Sequence, residues 1–141
     1  SPNLLLSRVN NVLNKYQSIR KDIEQFSASR NDNWSEDDKL FFKKILIILD
    51  SNFSDPEFNA DTLSSLIGMS RVTFYRRMKK LNQENPGEFI RKYRLKKASN
   101  LIKDGSKTIS EIASEVGFQS LPHFRKCFKE EYGTTPSEYK N

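Results

Sequence analysis

The chain is poor in the residues that build cross-links and metal centres: its 141 residues include one cysteine, Cys127, and one histidine, His123. A lone cysteine forms no internal disulfide, and one Cys with one His falls short of the three or four ligands of a zinc site. A reducing, cytoplasmic setting is therefore expected. Long hydrophobic runs are missing as well. The densest apolar stretch, Leu40 to Leu49, is interrupted by Lys43 and Lys44, and it is far shorter than the about 18 apolar residues of a membrane span. No signal-peptide pattern opens the chain, so no membrane contact is expected of this segment. Gly-rich phosphate loops, nucleophile elbows and metal-ligand clusters are also lacking, which argues against an enzyme and leaves no catalytic residue, cofactor or metal to assign. Nor is there a pair of alternating apolar runs around a tight turn, the mark of a β-hairpin.

What is present is apolar and aromatic material in a wet background: 35% hydrophobic and 30% charged residues, with ten Phe and five Tyr. That suits a folded protein with a modest core. The net charge of +6 is not spread evenly. Residues 1–56 hold eight basic and eight acidic side chains, so the whole excess lies in residues 57–141. A concentrated positive excess suits a polyanion, because each phosphate neutralised by Lys or Arg releases counterions. Solubility alone is the competing explanation.

Read along the chain, the apolar positions follow helical spacing. Leu5, Val9, Val12, Tyr16, Ile19, Ile23 and Phe26 form one stripe, readable either as a short coiled-coil seam or as a helix packed on a neighbouring domain. Residues 27–33 read as a polar linker. Ser35 with Asp38 resembles a capping box opening a helix to about Asn52, with Leu40, Phe41, Ile45, Ile48 and Leu49 on its inner face. From Asn59 onward a pattern of short helix, glycine, second helix and long helix appears and then begins again. Gly68 ends the first short helix. Ser70 caps the second helix, and Asn85-Pro86 opens a long one that carries Phe89, Ile90, Leu95, Ala98, Leu101 and Ile102 to Gly105.

The repeat can be followed position by position. Leu63, Ser64, Gly68, Ser70, Phe74 and Met78 correspond to Ile112, Ala113, Gly117, Ser120, Phe124 and Phe128, with one extra residue in the second turn. A small residue in the first helix lets the second cross closely, and the glycine four residues later makes the turn. This is a helix-turn-helix pattern, whose second helix keeps one face free for a major groove. Phe74, Phe118, Phe124, Phe128 and Cys127 read as core, and His123 as a groove-face residue, since no nucleophile accompanies it.

Residues from about Asn59 to Tyr139 resemble the AraC/XylS family of bacterial transcription regulators. The likeness rests on Ile109-Ser-Glu-Ile-Ala-Ser-Glu-Val-Gly-Phe-Gln-Ser, on Phe124, Phe128-Lys129, Gly133 and Thr135-Pro136-Ser137-Glu138-Tyr139, and on Arg94-Leu95 with Ala98. The resemblance implies an all-α fold of two helix-turn-helix subdomains joined by a long linker helix and preceded by an N-terminal helix. It divides the chain into residues 1–33, a signalling or dimerisation helix with its linker, and residues 34–141, the DNA-binding domain. It implies base-facing positions at Val72, Tyr75 and Arg76 in the first unit and at Leu121, Pro122, His123 and Lys126 in the second. Arg71, Thr73, Arg125 and Lys129 suit phosphate contacts. The implied partner is a double-stranded DNA operator read in successive major grooves; RNA polymerase and a second copy of the chain, through the N-terminal helix, are further candidate partners. A weaker likeness of residues 4–13 to the last helix of a receiver domain points to the output part of a hybrid two-component response regulator, the phosphorylated Asp lying outside these residues. The alternative function is a protein-interaction module with a basic face.

Overall fold

The computed structural model describes residues 33–139. The chain divides into two compact units between Asp50 and Ser51. The described part of the first, residues 33–50, carries all but the last two residues of helix α1 (Glu36–Asn52). Ser35 and Asp38 do close a reciprocal box, Ser35 N donating to Asp38 Oδ2 at 3.3 Å and Asp38 N to Ser35 Oγ at 3.1 Å. The inner face differs from the one expected. Phe41, Phe42, Ile45, Leu46 and Leu49 are buried, whereas Leu40 is 63% exposed. Trp34 meets Phe42 edge-on at 4.9 Å, and that aromatic contact turns Phe42 inward in place of Leu40. The stripe from Leu5 to Phe26 lies outside the described residues.

The second unit contains α2 (Ala60–Ile67), α3 (Arg71–Asn82), α4 (Pro86–Asp104), α5 (Ile109–Glu115), α6 (Leu121–Tyr132) and α7 (Pro136–Tyr139). No strand occurs among the described residues; the fold is all-α. Asn59, Ser70, Asn85, Thr108 and Ser120 cap α2 to α6, each side chain accepting from the backbone N–H three residues on. Such caps contribute about 1 kcal/mol each, so the short helices α2 and α5 have defined starts despite weak intrinsic helicity. The final helix α7 was not foreseen. Thr135 Oγ1 accepts from Glu138 N at 3.2 Å, and Tyr139 lies 5.3 Å from Phe128, so the chain end closes over the C-terminal core.

Helix α4 holds the two halves together by burying different faces at its two ends. Pro86, Phe89, Ile90 and Tyr93 are buried in its first half, and Leu95, Ala98, Ser99 and Ile102 in its second. At about 100° per residue these sets lie roughly on opposite sides of the helix. Leu95, Ala98 and Ile102 of the second set join Ile112, Ala113, Val116, Phe124, Cys127 and Phe128 in one core cluster. α2 and α3 also touch α4, and the first set is left for them. The helix therefore has no single apolar stripe, although nearly half of it is buried.

The two turns match in their hydrogen bonds. Gly68 N donates to Ser65 O and Met69 N to Ser64 O, just as Gly117 N donates to Ser114 O and Phe118 N to Ala113 O. The glycines have φ +87° and +93°, the left-handed region that side chains resist. The extra residue of the second turn is thus Gln119, whose Nε2 donates to Pro56 O at 3.5 Å. Gly117 carries a further constraint. A Cβ there would lie inside van der Waals contact of Phe53 O and 2.9 Å from Arg94 Nε. Arg94 is drawn in because it donates to three carbonyls, Nε to Phe53 O at 2.9 Å and Nη2 to Asp55 O and Phe58 O at 3.0 Å each. Burial lowers its pKa, and Asp55 partly offsets this.

Candidate nucleic-acid interface

In each helix-turn-helix the second helix has twelve residues and begins at a serine cap, so α3 and α6 can be compared in register from Ser70 and Ser120. Phe74 and Met78 in α3, and Phe124 and Phe128 in α6, are fully buried. The opposite faces are open. In α3, Val72, Tyr75, Arg76 and Lys79 stand at i, i+3, i+4 and i+7, one contiguous face. Val72 is 65% exposed, Arg76 and Lys79 are exposed, and Tyr75 is half-buried. Lys79 was not among the expected contacts, although its spacing from Val72 and Arg76 would have found it.

Arg71 sits at the edge of this face. Its Nε lies 3.3 Å from Asp61 Oδ1, and its guanidinium lies over the Tyr75 ring at 5.2 Å. Both charges of the pair are well exposed, so it orients more than it stabilises. Thr73 is exposed, and Ser70 Oγ donates to its hydroxyl at 2.9 Å.

In α6, Pro122, Arg125, Lys126 and Lys129 form the equivalent exposed face. By register Arg125 stands where Tyr75 stands in α3, and Lys129 where Lys79 stands. Leu121 takes the place of Arg71 but is half-buried against the C-terminal core. His123 is exposed at the flank of the face, with Cys127 Sγ 3.6 Å from Nε2 and the Phe118 ring at 5.7 Å. Burial pushes the Cys127 thiol up, while Arg91 pulls the other way. The first helix-turn-helix thus presents an aromatic, an aliphatic and two cations; the second presents three cations, a proline and a histidine.

These two exposed faces stand on a shared helix-turn-helix turn geometry. Residues 63–141 match the helix-turn-helix domain family. The chain belongs to the AraC-type helix-turn-helix family. The AraC-type domain is a DNA-binding domain of transcription regulators. The chain is 32% identical over 139 residues to histidine kinase P4 of Formosa agariphila, covering 95% of this chain and 10% of that protein. It spans no more than half the length of other curated relatives, among them the regulator MtrA of Neisseria gonorrhoeae. The C-terminal domain of the two-component response regulator yesN from Fusobacterium nucleatum superposes with TM-score 0.64 at 27% identity, covering 69% of this chain and 94% of that one. The DNA-binding domain of AdpA, solved in complex with a target DNA, gives TM-score 0.65 at 26% identity, covering 71% and 88%.

Among the described residues, no group of three or more His, Cys, Asp and Glu could hold a metal, and no helix is long and apolar enough to cross a membrane.

Proposed function

We propose that the domain reads double-stranded DNA with two unequal heads, α3 discriminating bases and α6 chiefly gripping the backbone. The observation that carries this reading is the chemistry of the α3 face. The exposed Val72 and the half-buried Tyr75 flank Arg76, which is exposed and makes no hydrogen bond or ion pair among the described residues. A guanidinium can donate two hydrogen bonds to guanine O6 and N7, and Val72 and Tyr75 suit a thymine methyl. On α6, Arg125 and Lys129 suit phosphates, whereas at the base-facing positions Pro122 and the half-buried Leu121 offer only apolar contact, with Lys126 and His123 beside them. Arg71, Thr73 and Lys79 complete the phosphate contacts of the first head. α4 spans about 28 Å at 1.5 Å per residue, comparable with the ~34 Å between successive major-groove faces.

Within the full regulator, residues 1–33 are the signalling or dimerisation segment and residues 34–141 the output domain of a two-component system. The likenesses to a histidine kinase and to a response-regulator C-terminal domain support this assignment. A second copy of the chain and RNA polymerase are the proposed protein partners.

Selection of bound duplexes from a random pool tests the reading. Arg76→Ala should cost about 1–3 kcal/mol on the best duplex and relax one base position. An equal loss on every sequence would rule out base reading by Arg76. Duplex affinity indifferent to salt would instead favour an acidic protein partner, since phosphate contacts impose a steep salt slope.

A further inference from the structure

Beside the two exposed faces, a recess of about 370 Å³ opens between the first turn of α4 and the first turn of α6, with Gly87, Arg91, Gln119, Ser120 and His123 in its lining. No carboxylate contributes to that lining. Its two guanidiniums are in different states. Arg94 is committed to the carbonyls of Phe53, Asp55 and Phe58. Arg91 is exposed and makes no ion pair or hydrogen bond among the described residues. Gly87 also lines it, and a Cβ there would meet only Asn85 Oδ1, at 3.3 Å, within 4 Å. The walls are tied together before any ligand arrives, through the bonds from Gln119 to Pro56 and from Arg94 to Phe53.

We infer that this recess seats one backbone phosphate of the bound duplex, held by Arg91 with the Ser120 hydroxyl and the His123 ring at its rim. An unpaired guanidinium in a carboxylate-free, prebuilt recess matches a phosphate diester, which it can grip through two parallel N–H···O bonds. Duplex DNA is the source of that phosphate because Ser120 and His123 belong to the cap and first turn of α6, the end that enters the groove. The strand bordering the groove passes this rim. Arg91 lies on the linker helix, outside both reading helices, and is a positioning residue: it fixes the register of α6 on the duplex without touching a base. The inference rests on the duplex reading proposed above.

The test is fluorescence anisotropy of the whole chain on a mixed-sequence duplex over a range of salt. Arg91→Gln is expected to weaken binding several-fold on every duplex and to reduce the magnitude of the salt slope by about 0.9, the value of one phosphate contact. Arg91→Lys should restore the slope with incomplete affinity, since an ammonium keeps the charge and loses the bidentate grip. In amide NMR spectra, duplex should shift the Gly87 N–H of the wild type and leave that of Arg91→Gln in place. A wild type that binds no duplex would overturn the duplex reading itself. A wild type that binds, with an unchanged salt slope in Arg91→Gln, would overturn the phosphate seat and leave the reading heads standing.

Discussion

Replacing Gly117 by alanine should damage the domain out of proportion to one methyl group, and the structure allows the loss to be divided. At φ +93°, alanine bears a left-handed penalty of about 1–2 kcal/mol. The methyl would also press on Phe53 O and Arg94 Nε, so either the turn or the arginine must move. If Arg94 retreats, its charged hydrogen bonds to three carbonyls are strained or lost, and each is worth about 1.5–3 kcal/mol. With one such bond lost, the total is roughly 2.5–5 kcal/mol, a large share of the about 5–15 kcal/mol that holds a typical domain together. Gly68→Ala is the matched control. Its φ is +87° with nothing within 4 Å of the new methyl, so it suffers only the conformational penalty. Urea denaturation of both variants, followed by circular dichroism, gives the contact contribution as the difference between them. Equal losses in the two would refute the idea that Gly117 is required by the approach of Phe53 and Arg94.

Two further outcomes follow from local geometry. Gln83, at the C-terminus of α3, holds φ 60° without being glycine, so Gln83→Gly should stabilise the domain by up to about 1 kcal/mol, read as a rise in Tm; a fall would show that the Gln side chain stabilises more than its backbone strain costs. Cys127, 5% exposed with its thiol pKa raised by burial, should react with an aromatic disulfide far more slowly in the folded chain than in urea. Its protonated form is favoured by folding, so the associated stability is complete below the ordinary thiol pKa and is lost as pH rises through the elevated folded value. Equal reaction rates with and without urea would contradict the burial.

The features legible in the sequence were those fixed by neighbours a few residues away. Ser35 with Asp38, Ser70, Asn85 and Ser120 announce helix starts because a cap and the N–H that donates to it lie three residues apart. The turn glycines are visible for the same reason. Leu40 misled because α1 offers apolar residues on more than one face, and the contact of Phe42 with Trp34 decides between them. Tyr93 and Ser99 were not read as core, since α4 changes its buried side midway and no single period marks it. The Arg94 clamp joins residues up to 41 positions apart; the Arg94-Leu95 motif was noticed, but the bond that explains it needs the fold. At the candidate interface, spacing fixed the exposed faces, while the half-buried position of Leu121 and the recess around Arg91 depend on tertiary packing.

Because α4 is anchored on one side at its start and on the other at its end, it cannot serve as a swivel. The angle between the heads is counted in residues. Inserting a single residue between Tyr93 and Leu95 would rotate the second head by about 100° against the first and advance it by about 1.5 Å, with both cores otherwise intact. Under the two-headed reading proposed above, the numbering of one helix becomes a geometric address: the DNA half-elements that would suit the chain are those whose phasing matches nineteen residues of linker helix, and a change of helix length would readdress the protein without altering any side chain on the exposed faces of α3 and α6.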